Sequence, residues 1–247
     1  MIHSYERLDD LQLDGLKLIQ NPNWFCFGVD AVLLSHFANA SIKKGATVLD
    51  LCSGSGIIPI LLSSKSVAAS ITGREIMPEV CEMAQRSVAL NNLSSKVNMV
   101  CGDLKNGTEL FGKAKFDNIT CNPPYKESFG GLKNKTDIVT VARHEVLCSL
   151  EDIISVSAEL LKPYGKLALI HRPERLCDII TLMRKYKIEP KRLEFVHPSA
   201  GKTATMILVE GAKLGKPKLF LEPPLYVHSE DGGYTDEINE IYGRNKQ

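Results

Sequence analysis

The amino-acid sequence predicts an α/β domain with a mainly parallel sheet and helices on both faces. Three observations lead there. From residue 46 onward, short β-branched runs alternate with longer helical stretches, the order that builds strand–helix–strand crossovers. The first run leads into a glycine turn, DLCSGSGI at 50–57. Three of the strand ends carry an acid, Asp50, Glu75 and Asp103, placed to overlook the crevice at the carboxyl edge of such a sheet.

Each element has its own signal. ATVLDL (46–51) reads as a strand and IIPILLSS (57–64) as a helix. VAASITGREI (67–76) is a strand, and MPEVCEMAQRSVALNN (77–92) a helix with Pro78 in its first turn, where a missing N–H costs nothing. KVNMVCGD (96–103) and FDNITC (116–121) are further strands. SLEDIISVSAELLKPYG (149–165) reads as a helix capped by Ser149, with Asp152 in its first turn and Pro163 and Gly165 ending it. KLALIH (166–171) is a strand and 173–186 a helix, and PKRLEFVHP with TATMILVEGAK makes a final antiparallel pair. The expected division is an N-terminal segment at 1–45, the domain at 46–214 and a tail at 215–247 packed on it. The stretch 126–145 starts polar and glycine-containing and reads as a long loop, a feature that is usually functional or mobile.

Composition excludes several classes. A chain of 247 residues, 44% hydrophobic and 24% charged, fills one large core and is not a disordered polymer. Its aliphatic runs are too short to span a bilayer. MIHSYERLDDLQLDG carries acids and lacks the apolar stretch of a secretory signal, so a cytoplasmic protein without membrane attachment is expected. Seven cysteines without a C-x-x-C argue for reduced, mostly buried thiols, and with scattered histidines they predict no metal. The net charge of +1 conceals a basic stretch, with 13 Lys and Arg against 5 acids over residues 162–218. That stretch fits a polyanion-facing surface and fits equally well the solvated exterior of helices and strands. Oligomeric state stays open, with a monomer compatible.

The glycine turn points to a cofactor. Gly54 and Gly56 let a ligand lie against the backbone at the head of a helix. The third glycine of the dinucleotide fingerprint is missing, with Ile58 and Pro59 in its region, which disfavours NAD. Glu75 is placed to accept two ribose hydroxyls, and Asp103 to accept from an adenine amino group. Here the sequence resembles the Class I S-adenosylmethionine-dependent methyltransferases, over roughly residues 46–172. The resemblance implies a Rossmann-like fold with a seven-stranded sheet and a final antiparallel strand. It places Asp50, Cys52, Gly54 and Gly56 along the methionine part of S-adenosyl-L-methionine, Glu75 and Ile76 at its ribose, and Asp103 and Leu104 at its adenine.

The fourth strand ends in Asn122-Pro123-Pro124-Tyr125. Two prolines stop sheet and helix alike and hold Asn122 extended, leaving a stiff rim with one amide, free carbonyls and one aromatic ring. The stretch resembles the N-P-P-Y motif of amino methyltransferases, and the resemblance implies how it works. The Asn122 side chain and the Pro123 carbonyl accept the two N–H groups of a delocalised amine and return electron density to nitrogen, while Tyr125 stacks the extruded base.

Glutamine-modifying enzymes usually carry a helical domain before this region, and DNA enzymes a target-recognition domain. Neither is expected here. FCFGVDAVLLSHFA (25–38), ARHE (142–145), HRPERL (171–176), FVHPSAGKTATMILVEGAK (195–213) and LEPPLYVHSEDGGYTDEINEIYG (221–243) extend the resemblance to the bacterial tRNA (adenine-N6)-methyltransferases that act beside the anticodon of a valine tRNA. By that resemblance Phe27, Asp30 and Asn122 join the cofactor residues, the N-terminal segment covers the entrance, and tRNA is the partner. Tyr125, Lys126, Arg143 and Arg172 are the expected RNA contacts. The rivals are protein glutamine-N5 methylation and a non-catalytic RNA-binding module.

Overall fold

A computed structural model describes residues 2–123 and 148–244, and its frame is one twisted sheet. Strand β3 (Thr47–Leu51) lies near its middle. On one side β4 (Ser70–Glu75) and then β5 (Val97–Cys101) run parallel to it. On the other side β6 (Phe116–Cys121) and then β7 (Leu161–His171) are parallel as well. Beyond them β9 (Met206–Lys213) is antiparallel to β7, and β8 (Ile188–Ser199) is antiparallel to β9. Those are the seven expected strands. The tail adds two more, β10 (Phe220–Leu221) and β11 (Leu225–His228), both parallel to β8, so the sheet has nine strands among the described residues.

Strand alternation explains the two hydrophobic layers. Successive side chains point to opposite faces. Val48, Ala168 and Ile170 accordingly meet α1 (Val29–Asn39), α2 (Ile57–Lys65) and α3 (Pro78–Leu90) on one face. Leu49, Leu51, Leu167 and Leu169 meet the other layer, formed by α5 (Leu150–Leu160) and α6 (Leu176–Lys185), with the short α4 (Gly107–Phe111) beside them. A last short helix, α7 (Asp236–Ile241), places Ile238 and Ile241 in the first layer.

Several boundaries differ from expectation, each for a physical reason. The capping box at Ser149 and Asp152 starts α5 as expected, but the helix stops at Leu160 rather than Pro163–Gly165. Leu161 is fully buried and pairs with Phe116, and β7 resumes full register at Lys166 after an irregularity. Pro173–Arg175 forms a 3-10 turn before α6 begins at Leu176. β4 starts at Ser70, three residues later than read. The cysteines are free, but only Cys81 and Cys121 are fully buried, and Cys101 and Cys177 are exposed. The long loop read at 126–145 lies outside the described residues.

An N-terminal hairpin, β1 (Arg7–Asp10) with β2 (Lys17–Gln20), leans on α3. Asn91 accepts from the Lys17 amide at 2.8 Å and donates to its carbonyl at 2.6 Å, and Ser87 Oγ accepts from the Ile19 amide at 3.0 Å. Glu6 adds a two-pronged ion pair to Arg86, at 2.6 and 2.8 Å, with the Glu6 side chain 1% exposed. Hydrogen bonding to Arg86, above all, holds the Glu6 carboxyl down to about 2 from an ordinary 4.5. A lowered carboxyl contributes stability fully above its unfolded value and loses it as pH falls through its folded one. Glu6→Gln is therefore expected to cost roughly 2 kcal/mol in urea unfolding at pH 7, with the gap to wild type closing between pH 4.5 and about 2.

Candidate active site

Chain order creates the crevice. After β3 the chain lays down β4 and β5 on one side, then returns to place β6 on the other. Connections leave β3 and β6 in opposite directions, and ligands of such sheets bind outside the strand carboxyl ends at that point. Leu51 of β3 is in register with Cys121 of β6, so Cys52 and Asn122 emerge side by side at the carboxyl edge.

The turn after β3 is tightly wound. Cys52, Gly54 and Gly56 all take left-handed backbone angles, with φ of 55°, 53° and 81°. At Cys52 this costs about 1–2 kcal/mol, since its Cβ crowds the following carbonyl. Gly56 heads α2 where a Cβ would stand 3.2 Å from the Ala84 methyl, whereas above Gly54 a Cβ would meet nothing within 4 Å. Gly54 is thus the point where bare backbone faces open space.

Three carboxylates organise this edge in different ways. Of the acids expected in one crevice, Glu75 and Asp103 face it together with Cys52, Ile76 and Leu104. Asp50 does not: it is fully buried beneath the turn, accepting from Thr120 Oγ1 of β6 at 2.6 Å and from Ser53 Oγ at 2.7 Å. Its two oxygens are taken up in tying β3, β6 and the turn together. Glu75 Oε2 accepts from the Gly54 amide at 2.9 Å and Oε1 from the Met77 amide at 3.0 Å. Each oxygen keeps a lone pair for a further donor. Asp103 Oδ1 accepts from the Lys105 amide at 2.9 Å.

Three lining residues were not expected, Arg74, Gly102 and Cys148. Arg74, buried in β4, donates to the carbonyls of Cys101 and Asp103, both at 3.0 Å, and so fixes the loop after β5. The only sequence signal was a cation inside an apolar strand. Cys148 approaches from before α5 and had no signal.

Asn122 is half-buried, and its Nδ2 donates to Asp30 Oδ2 at 2.9 Å. Its Oδ1 is buried and has no hydrogen-bond partner among the described residues. Pro123 is buried beside it. Asp30 lies in the first turn of α1, and Phe27, just before that helix, is half-buried with its amide on Gln20 Oε1 at 3.0 Å. Arg172 follows β7 at the same edge, its amide donating to His171 Nδ1 at 2.8 Å. Burial pushes the His171 imidazole down to about 4, which keeps it neutral at pH 7. Pro124, Tyr125, Lys126 and Arg143 lie outside the described residues.

Part of the basic stretch is paired inside the chain. Arg175 pairs with Asp178, Arg184 with Glu189, Lys185 with Glu151, Arg192 with Glu222 and Glu210, Lys162 with Asp117 and Lys166 with Glu210. Acids from inside and outside the run thus neutralise part of its charge. Among the described residues no group of three or more His, Cys, Asp or Glu could hold a metal ion, and no helix is long and apolar enough to cross a membrane.

The chemistry of the edge fits a cationic adenosyl cofactor. Bare backbone at Gly54, a buried acceptor pair at Glu75 and a second acid at Asp103 complement hydroxyls and an amino group, and of the three charged residues that line the cleft, Arg74, Glu75 and Asp103, two are acids. Asp50 also makes a pH prediction. Burial raises its carboxyl to about 7 from 3.8, against the pull of Thr120 and Ser53. A raised acid costs nothing below its unfolded value and progressively more as pH climbs to its folded one. Asp50→Asn is therefore expected to gain on wild type by about 2–4 kcal/mol over that interval, read as the difference in denaturant midpoints across the pH series.

Known proteins share this architecture. A predicted O-methyltransferase from Agrobacterium tumefaciens superposes with a TM-score of 0.69 at 22% identity, covering 87% of this chain and 96% of that one. M. jannaschii TYW2, solved in complex with AdoMet, superposes at 0.57 with 13% identity, covering 86% and 87%. In sequence, the tRNA1(Val) (adenine(37)-N6)-methyltransferase of Porphyromonas gingivalis is 32% identical over 218 residues, 85% of this chain and 84% of that protein. The protein of the same name from Parabacteroides distasonis is 29% identical over 87% of each. The methyltransferase small domain matches residues 16–186. A glycine turn over a strand-end carboxylate, an amide rim beside it and this span of matching sequence agree, and the chain belongs to the methyltransferase small domain family.

Proposed function

We propose that the protein transfers a methyl group from S-adenosyl-L-methionine to the N6 amine of an adenosine in tRNA, the one beside the anticodon of a valine tRNA. The observation that carries this is the Asn122 side-chain oxygen, buried at the carboxyl edge without a donor. Buried acceptors are almost always satisfied, and one without a donor among the described residues, on a rim that faces a cleft, suits a donor brought by a substrate. The names of the Porphyromonas and Parabacteroides relatives supply the substrate class, and a tRNA substrate accords with a cytoplasmic setting.

When bound, S-adenosyl-L-methionine supplies a methyl group already activated by its sulfonium centre. The protein's part is to hold and to polarise. Glu75 accepts from the ribose hydroxyls with Ile76 beside it, Leu104 borders the base, and Asp103 accepts from its amino group. Gly54, Gly56 and Cys52 carry the backbone that runs beside the methionine part, with Asp50 holding that turn from below and Phe27 and Asp30 facing it from the N-terminal segment. Asn122 Oδ1 and the Pro123 carbonyl accept the two N–H groups of the target amine. With both hydrogens drawn toward acceptors, the nitrogen lone pair leaves conjugation with the ring and points at the methyl carbon. Transfer to that nitrogen would break the donor's carbon–sulfur bond and would release one amine proton to solvent. Tyr125, after Pro124, offers a ring to the extruded base, and Lys126, Arg143 and Arg172 offer charge to the RNA backbone. In this reading residues 1–45 cover the entrance, 46–214 form the catalytic domain and 215–247 pack against it.

Nucleoside mass spectrometry of tRNA from cells lacking the protein is expected to show loss of one N6-methyladenosine, restored by wild type and not by Asn122→Ala. In vitro, Asn122→Ala should lower kcat by roughly 100-fold or more, a larger loss than any it causes in cofactor affinity. Glu75→Ala should instead weaken cofactor binding by about tenfold or more, from the loss of a charge-assisted pair of hydrogen bonds. An unchanged tRNA profile, with label appearing in a protein fraction, would replace this reading with glutamine methylation.

A further inference from the structure

A carboxamide has two chemically opposite ends, and only one is useful to an incoming amine. We propose that Asp30 is a positioning residue that fixes which way the Asn122 amide faces, and so sets the preference of the site for a hydrogen-bond donor on the substrate. The inference rests on the reading of Asn122 as the amine's acceptor.

The geometry leaves the amide one orientation. Asp30 is buried at the start of α1. Its Oδ1 accepts from the Ala31 amide at 2.9 Å and its Oδ2 from Asn122 Nδ2 at 2.9 Å. An ionised carboxylate only accepts, so the amide turns its NH2 toward Asp30 and its oxygen away. That oxygen is the buried acceptor without a donor. A flipped amide would set oxygen against oxygen at Asp30 and offer NH2 to the substrate, repelling an amine and welcoming a carbonyl. Gly28 belongs to the same device: a Cβ there would stand 3.0 Å from Asp30 Oδ1, so glycine leaves the carboxylate its place. Asp30 thereby selects adenine, whose position 6 donates, against hypoxanthine, whose position 6 accepts.

The isosteric variant Asp30→Asn gives a sharp test. The Ala31 amide belongs to the helix backbone and cannot turn away, so the substituted side chain keeps its oxygen there and points its new NH2 at Asn122. Two NH2 groups cannot share that contact, and Asn122 turns over. Measured at saturating cofactor with an anticodon-arm hairpin carrying the target adenosine, kcat is expected to fall about 100-fold. Binding of the same hairpin with inosine at that position should gain on the adenosine form by about tenfold or more. The double variant Asp30→Asn with Asn122→Asp exchanges donor and acceptor and again presents an oxygen to the amine. It should recover about tenfold or more over Asp30→Asn alone, the sign of a restored hydrogen-bond pair. Gly28→Ala, which crowds the carboxylate without touching Asn122, should shift the adenosine-to-inosine preference in the same direction, and it serves if Asp30→Asn does not fold.

A folded Asp30→Asn protein with kcat within about threefold of wild type and an unchanged preference would overturn the positioning role. So would a folded double variant no better than the single one. Either result leaves the proposed reaction standing as long as Asn122→Ala is inactive. Full activity of Asn122→Ala would remove the amine acceptor itself, and the positioning role with it.

Discussion

One buried carboxylate holds the reacting edge together. Asp50 lies in the central strand, one residue from its end, and accepts from a hydroxyl on β6 and a hydroxyl in the glycine turn. Those two contacts join the strand that presents Asn122 to the turn that presents bare backbone at Gly54. Burial works against the arrangement, pushing the Asp50 carboxyl up to about 7. A buried acid persists when its hydrogen bonds are complete, and neither oxygen of Asp50 lacks a donor. The sheet supplies the remaining rigidity, since β3 is flanked by parallel neighbours on both sides and cannot slip register without turning a buried face to water.

Around that anchor the polar groups of the edge constrain one another rather than standing ready singly. Glu75 bridges the amide of Gly54 and the amide of Met77, so the same carboxylate that faces the cleft also sets the height of the glycine turn. Arg74 spans from β4 to two carbonyls at and beyond the end of β5 and shapes the loop that carries Asp103. Such networks rigidify a site in proportion to how fully their members are satisfied. Among the described residues the buried polar atoms that stay open at this edge include Arg74 Nε and Asn122 Oδ1, and the second is the acceptor on the rim after β6.

Much of this was legible in the sequence, for reasons that can be named. Strand ends were readable because β-branched runs stop at acids and glycines, and FDNITC was bounded correctly because the prolines after Asn122 permit no continuation. The end of α5 was misread because the apolar pattern runs on through Leu161, and only the tertiary pairing of that residue with Phe116 decides that it is strand. Asp50, Glu75 and Asp103 looked equivalent as strand-end acids. Which of them faces the cleft depends on Thr120 and Ser53, and a one-dimensional pattern does not assign partners. The basic stretch hid its partners in the same way, since Glu151 and Glu222, which neutralise part of it, lie outside residues 162–218. The tail strands β10 and β11 are too short, at two and four residues, for any periodicity to announce them.

The contact between Asp30 and Asn122 crosses 92 residues of chain, and this separation has a consequence for how the molecule is built. The N-terminal segment reaches the rim after β6 through a chain of contacts. Its hairpin is fastened to α3 through Asn91, Ser87 and Arg86, its Gln20 side chain holds the Phe27 amide, and α1 then delivers Asp30 to the rim. Each step is a hydrogen bond to a rigid element, so the orientation of one side-chain amide at the end of β6 is referred back, through α1 and the hairpin, to the helix layer beneath the sheet. A carboxylate on a loop would have conferred the same chemistry with less certainty, because it could follow the amide when it turned. Placed at the head of a buried helix, with Gly28 clearing its space and the Ala31 amide fixing one oxygen, Asp30 stays put. The burial of its carboxylate and of the Asn122 oxygen is what makes the fixed direction of the amide worth having, since at a buried spot an acceptor and a donor are read as opposite signals.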